Sequence, residues 1–225
     1  MYKILNMSSS SFQMLSIEGN IGSGKSTLLG ALKKTKKWCN KKIIFVREPV
    51  DEWEKIKDKN GITILEKFYE DQEKYSFSFQ MMAYISRLKL LKEAVETNPD
   101  AVIISERSLF TDKLVFAKML FDTNKMEDIN YLIYLKWFET FSENFHLNKI
   151  IYIKTDPEIC FSRINKRCRQ GESNIPLDYL KECDKYHDEM MKTLNIEKII
   201  LDGNVDIVKD KSKLEEWIES IEKFI

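Results

Sequence analysis

The sequence predicts an α/β fold: one five-stranded parallel sheet flanked by helices. Three observations lead there. Five short apolar runs, at residues 15–17, 43–46, 101–104, 150–153 and 198–201, are continuous rather than alternating, the pattern of strands buried on both faces. The stretches between them are long enough for crossover helices. The first run also feeds Gly19-Asn20-Ile21-Gly22-Ser23-Gly24-Lys25-Ser26, which fits G-x-x-x-x-G-K-[ST], and Leu28, Leu29 and Leu32 follow at helical spacing. Strand, loop and helix thus succeed one another as this phosphate-binding motif requires.

In the loop, glycines permit positive φ and close approach of backbone to phosphate, while successive N–H groups and the helix N-terminus face an anion. Lys25 is expected to reach the outer phosphates, and the Ser26 hydroxyl, next to Thr27, to ligate Mg²⁺. Between the second and third runs a helical insertion from about 62 to 96 needs at least two helices, with a break near 71–76. Another helix is expected from about 126 to 145, with Ile133, Trp137, Thr140 and Phe141 on one face. The last helix carries Leu214, Trp217, Ile218, Ile221 and Ile225 as a core stripe.

The chain has 225 residues and 43% hydrophobic content, which suits one domain from 14 to 225. Residues 1–13, with serines at 8–11 and a single Lys, read as a disordered leader rather than a signal or transit peptide. Basic and acidic residues balance at 36 each, so no global basic field attracts a nucleic-acid polymer. No run approaches the roughly 20 apolar residues of a membrane span. The four cysteines form no C-x-x-C pair and the two histidines lie far apart, which argues against zinc and for a reducing, cytoplasmic compartment.

Ligands of doubly wound sheets gather at the carboxyl ends of strands. The second run leads into Arg47-Glu48-Pro49, where Pro49 disfavours helix at Glu48. The third leads into Ser105-Glu106-Arg107-Ser108. Phosphoryl transfer to a hydroxyl needs a carboxylate for the acceptor, a cation for developing charge and Mg²⁺ across the phosphates. Glu48, Arg107 and the Glu106/Ser26 pair fit those three roles; the alternative for Glu48 and Arg107 is a structural ion pair. Arg163, Arg167 and Arg169 share a helical face before Gly171. They read as a lid over triphosphate, or else as a solvated helix end whose cations suit the dipole.

Residues 16–27, Glu48-Pro49-Val50 with Trp53, Phe77-Ser78-Phe79-Gln80, Glu106-Arg107-Ser108 with Asp112, and the stretch 175–180 resemble, in unbroken order, the deoxyribonucleoside kinases. That group contains deoxycytidine, deoxyguanosine and mitochondrial thymidine kinases. The resemblance implies a P-loop kinase fold with an arginine-rich lid. It implies an enzyme of nucleotide salvage that moves the γ-phosphoryl group of ATP to the 5′-hydroxyl of a deoxynucleoside, and a homodimer built on a helical face. By resemblance Glu48 is the general base, Arg107 its partner at the 5′-oxygen and Gln80 the contact to the base edge. Tyr69 and Glu172 hold the sugar 3′-hydroxyl, Trp53 and Phe116 wall the base pocket, and the Ile21 side chain lines the acceptor pocket. Arg163, Arg167 and Arg169 are the lid arginines, and Asp206 and Ile207 seat the donor base. Ala83, Arg87 and Asp112 stand where deoxycytidine and deoxypurine kinases carry small, Arg and Asp residues, which points away from thymidine. The other readings are a thymidine-preferring or broad-specificity member, a nucleoside monophosphate kinase, and a non-catalytic relative. Lys113 and Gly171 depart from the family pattern, and Phe68 falls in the base-pocket region.

Overall fold

The computed structural model describes residues 12–35, 38, 41–167, 171 and 175–225. Strands β1 (Gln13–Glu18), β2 (Ile43–Val46), β3 (Val102–Glu106), β4 (Lys149–Lys154) and β5 (Glu197–Asp202) form one sheet ordered β2-β3-β1-β4-β5. Every pairing is parallel, so the expected α/β sheet is present. Phe12 packs on the core and β1 starts at Gln13. The domain therefore begins before residue 14, because the strand's hydrogen bonds extend to Gln13, whose N–H donates to Ala101 O. The rest of the expected leader, residues 1–11, lies outside the described residues.

The helices are α1 (Lys25–Lys34), α2 (Val50–Trp53), α3 (Ile64–Glu70), α4 (Gln72–Thr97), α5 (Leu109–Thr111), α6 (Lys118–Asp122), α7 (Asp128–Phe141), α8 (Pro157–Arg167), α9 (Leu177–Thr193) and α10 (Lys211–Phe224). Successive residues of the inner strands enter opposite layers. Met14, Ile103, Ile150 and Tyr152 join one core with residues of α4, α7 and α9. Leu15, Ile17, Ile104, Ile151 and Ile153 join the other, closed by Leu28, Leu29 and Leu32 of α1 and Trp217, Ile221 and Phe224 of α10. With both faces covered, an alternating pattern has no solvent face to serve.

The expected insertion resolves into α3 and α4. Thr63 and Glu66 form a reciprocal capping box at the start of α3. Asp71 ends that helix, and its side chain accepts from Lys74 N to start the next. The helix anticipated over 126–145 is shorter at both ends. α7 stops at Phe141, where Ser142, Glu143 and Asn144 bring in two poor helix formers. Its Tyr134 and Phe138 are buried, whereas Ile133, Trp137 and Phe141 are 40–48% exposed. Residues Asp112–Ala117 wind as a π-helix between α5 and α6 without interruption. A π-helical turn commonly sits at a functional site, and this one carries Asp112 and Phe116 toward the cavity described next.

Candidate active site

The loop between β1 and α1 wraps a space for an anion. Gly19 has φ 143° and Gly22 φ 81°, values that L side chains adopt only with strain. A Cβ on Gly19 would lie 2.6 Å from Ile153 O, and one on Gly22 would lie 2.7 Å from Cys160 O. Lys25 Nζ donates to Gly19 O at 3.0 Å and Asn20 O at 2.7 Å, bracing the loop across its own turn. Burial, then the nearby Arg107, lower the Lys25 pKa to about 7 against the pull of Glu48 and Glu106. Asn20 anchors the loop from beneath, its Nδ2 donating to Leu180 O at 2.8 Å. Ser26 Oγ donates to Glu106 Oε1 at 2.5 Å. A hydroxyl and a carboxylate side by side at a phosphate loop suit Mg²⁺, which takes few protein ligands and completes its shell with phosphate and water.

Beside the loop, the buried Asp112, Arg87 and Arg107 and the partly buried Glu48 form a chain of charge in the order Asp112, Arg87, Glu48, Arg107. Arg87 grips Asp112 through Nε at 2.9 Å and Nη2 at 3.3 Å, and its Nη1 donates to Glu106 O at 2.6 Å. Its Nη2 also donates to Glu48 Oε1 at 3.1 Å. Arg107 Nη1 donates to that same oxygen at 2.6 Å. Both arginines hold Oε1; among the described residues no group donates to Oε2. Burial alone would raise the Glu48 carboxyl. Arg107, Arg87 and Lys25 reverse this and hold it down to about 2. Arg107 is itself held in the left-handed region, at φ 64°, with its N–H donating to Ile17 O at 3.0 Å. That conformation costs on the order of 1–2 kcal/mol. The bent backbone goes with a guanidinium 5.1 Å from the centre of the Phe116 ring, whose Nε and Nη2 are buried and find no partner among the described residues.

One cavity of about 380 Å³ joins these groups. Of the residues singled out in the sequence, Ile21, Gly22, Ser23, Gly24, Lys25, Ser26, Thr27, Glu48, Trp53, Tyr69, Gln80, Ala83, Arg87, Glu106, Arg107, Asp112, Phe116, Arg163, Arg167, Asp206 and Ile207 border this cavity. Gly19 and Asn20 do not; they support the loop from behind. Arg169 and Glu172 lie outside the described residues. Arg163 crosses the mouth, Nη2 donating to Val205 O at 3.1 Å, so this arginine is tied to the loop after β5 rather than solvated at a helix end.

Sequence reasoning missed several walls. Tyr179 borders the cavity edge-on to Tyr69, with ring centres 6.0 Å apart, and lies in the stretch 175–180 already flagged. Phe79, from the flagged stretch 77–80, also borders the cavity, as do Leu65, Val205 and Val208, which no motif contained. The two valines follow β5 in a loop with no motif to mark them. Trp217 belongs to the core, as its stripe suggested, yet also borders the cavity. Glu18 was read only as part of the phosphate-loop stretch. It is buried and accepts from Thr111 Oγ1, tying the end of β1 to the segment that presents Asp112.

A phosphate loop at one end of a cavity and a closed box of rings, amide and ion pair at the other belong to a phosphotransferase with a small organic acceptor. Comparison with known proteins says which. The family model for deoxynucleoside kinase matches residues 15–225. Deoxycytidine kinase 1 of Xenopus laevis is 31% identical over 94% of this chain and 89% of its own length. Human deoxycytidine kinase is 31% identical over 94% and 90%. The mitochondrial deoxyguanosine kinase of Xenopus laevis is 32% identical over 79% and 72%. The chain belongs to the deoxynucleoside kinase family and is an ATP-dependent nucleoside kinase.

Proposed function

We propose that the enzyme phosphorylates the 5′-hydroxyl of deoxycytidine or a deoxypurine nucleoside in preference to thymidine, with Glu48 as the base. The observation that carries this reading is the doubly held Oε1 of Glu48. With one oxygen fixed by two guanidinium groups, Oε2 points its lone pairs to an acceptor and takes the hydroxyl proton. The 5′-oxygen then forms its bond to the γ-phosphorus as the bond from γ-phosphorus to the ADP oxygen breaks. Held at about 2, the carboxyl is ionised throughout the physiological range, so Oε2 stays an acceptor for the hydroxyl's hydrogen bond. A carboxylate there suits a neutral hydroxyl and would repel an acceptor that already carries phosphate.

Arg107 faces the transferring group with Nε and Nη2, which find no partner among the described residues; Arg163 and Arg167, together with Arg169, neutralise the triphosphate. Ser26 and Glu106 would hold Mg²⁺, which when bound offsets phosphate charge. Asp206 and Ile207 take the donor base. Tyr69 and Glu172 take the sugar 3′-hydroxyl. Trp53 and Phe116 flank the acceptor base, and Gln80 meets its edge. The Gln80 residue is buried, yet its side-chain amide makes no hydrogen bond among the described residues, which leaves a donor and an acceptor for a ligand. Ala83 leaves space, and the Arg87–Asp112 pair opposes a thymine that would bury it without pairing. Catalytic efficiency with thymidine is expected to fall below that with deoxycytidine and the deoxypurines in an ATP assay of all four nucleosides. Equal or greater efficiency with thymidine would refute the base assignment.

The enzyme acts as a cytoplasmic homodimer in this reading. Cys160 and Cys183 are free thiols, and no helix among the described residues is long and apolar enough to cross a membrane. α7 presents Ile129, Leu132, Ile133, Trp137 and Phe141 to solvent, and the neighbouring α4 adds Ile85. An apolar patch of this kind marks a protein interface. Light scattering should give twice the chain mass, reduced to the chain mass by Trp137→Glu. A monomer in the unaltered protein would defeat the proposal.

A further inference from the structure

We infer that Phe68 limits the acceptor pocket to a one-ring base and that, with the Arg87–Asp112 pair, it makes cytosine the base this kinase takes. The inference rests on the nucleoside-kinase reading above and narrows it. The acceptor end of the cavity is closed by rings that lock one another. Phe68 stacks on Phe79 at 4.7 Å between centres with planes 29° apart. Trp53 meets Phe79 edge-on at 5.3 Å, and its Nε1 is pinned to Ser86 Oγ at 2.9 Å. Phe68 is 1% exposed and rises from α3, whose start is fixed by the Thr63–Glu66 capping box. It therefore has little freedom to swing aside for a larger ligand.

The space is also small. Pockets for one drug-sized ligand run about 300–1,000 Å³, whereas here about 380 Å³ borders both the phosphate loop and the acceptor wall. Asp112, though gripped by Arg87, keeps lone pairs that can accept from an exocyclic amine, and the Gln80 amide pairs with a donor and an acceptor together. Thymine offers Asp112 a carbonyl, which a carboxylate repels. Adenine offers the amine but brings a second ring against Phe68.

The test is kcat and KM for all four deoxynucleosides, with ATP and Mg²⁺, for the unaltered enzyme, Phe68→Ala and Phe68→Leu. Deoxycytidine should have the highest kcat/KM in the unaltered enzyme. The deoxyadenosine-to-deoxycytidine ratio should rise about tenfold or more in Phe68→Ala, since one methylene of pocket space is worth roughly 10–200-fold, and the gain should appear in the deoxyadenosine KM. Phe68→Leu, which keeps most of the volume, should lie between and stands in if the Ala variant does not fold. A purine preference in the unaltered enzyme, or a ratio within about threefold of it in a folded variant, overturns the inference while leaving the kinase reading intact. Failure of the unaltered protein to phosphorylate any deoxynucleoside overturns both.

Discussion

Glu48→Gln is expected to lower turnover by about 10²–10⁴, the range for loss of a positioned general base, while nucleotide affinity stays within a few-fold. The amide keeps an oxygen for Arg107 and Arg87, which now meet at Glu48 Oε1, so the loop and arginines remain in place. What disappears is the second acceptor. The amide nitrogen can only donate, and a hydroxyl whose proton has nowhere to go attacks phosphorus poorly. Steady-state kinetics with equilibrium nucleotide binding separate the two effects. A variant that keeps more than about a tenth of turnover would show that the carboxylate orients arginines rather than takes a proton.

Arg107→Met should cost more, about 10³-fold or beyond, because arginines at phosphoryl-transfer sites are worth about 10³–10⁵. The variant also changes pH dependence, and the sign follows from the charges. Burial pushes the Glu48 carboxyl up; Arg107 is the largest of the charges that hold it at about 2, below its ordinary 4.5. Without Arg107 the carboxyl titrates higher, so a smaller fraction is ionised at acidic pH and the acid limb of kcat/KM moves to higher pH. The stability that ionised Glu48 contributes, present above its free value and lost as pH falls toward 2, shrinks as well. An acid limb that stays where it is in the unaltered enzyme would contradict the Arg107–Glu48 coupling.

The residues that were legible in the sequence are those whose chemistry is local. The Gly19–Ser26 loop announces itself because positive φ at Gly19 and Gly22 demands glycine. The five strands announce themselves because both faces are buried. Glu48 and Arg107 follow from standing directly after apolar runs, since a parallel sheet delivers all its strand ends to one edge. Strand order was not legible, because register between β1 and β4 depends on contacts 134 residues apart, such as Met14 N to Asn148 Oδ1. Nor was the sharing of one Glu48 oxygen by Arg87 and Arg107, which come from different elements and converge only through packing. The exposed stripe on α7 has the same 3–4 spacing as a buried one, so periodicity could not say which way it faced. The π-helix at Asp112–Ala117 has no residue signature at all.

The central claim is that Glu48 selects a hydroxyl acceptor. Its most direct test is transfer of label from γ-labelled ATP, with Mg²⁺, to deoxycytidine and to its 5′-monophosphate offered separately. The account predicts that label appears in a monophosphate made from the nucleoside, with little or no diphosphate made from the monophosphate. Label moving only to the monophosphate acceptor would contradict it.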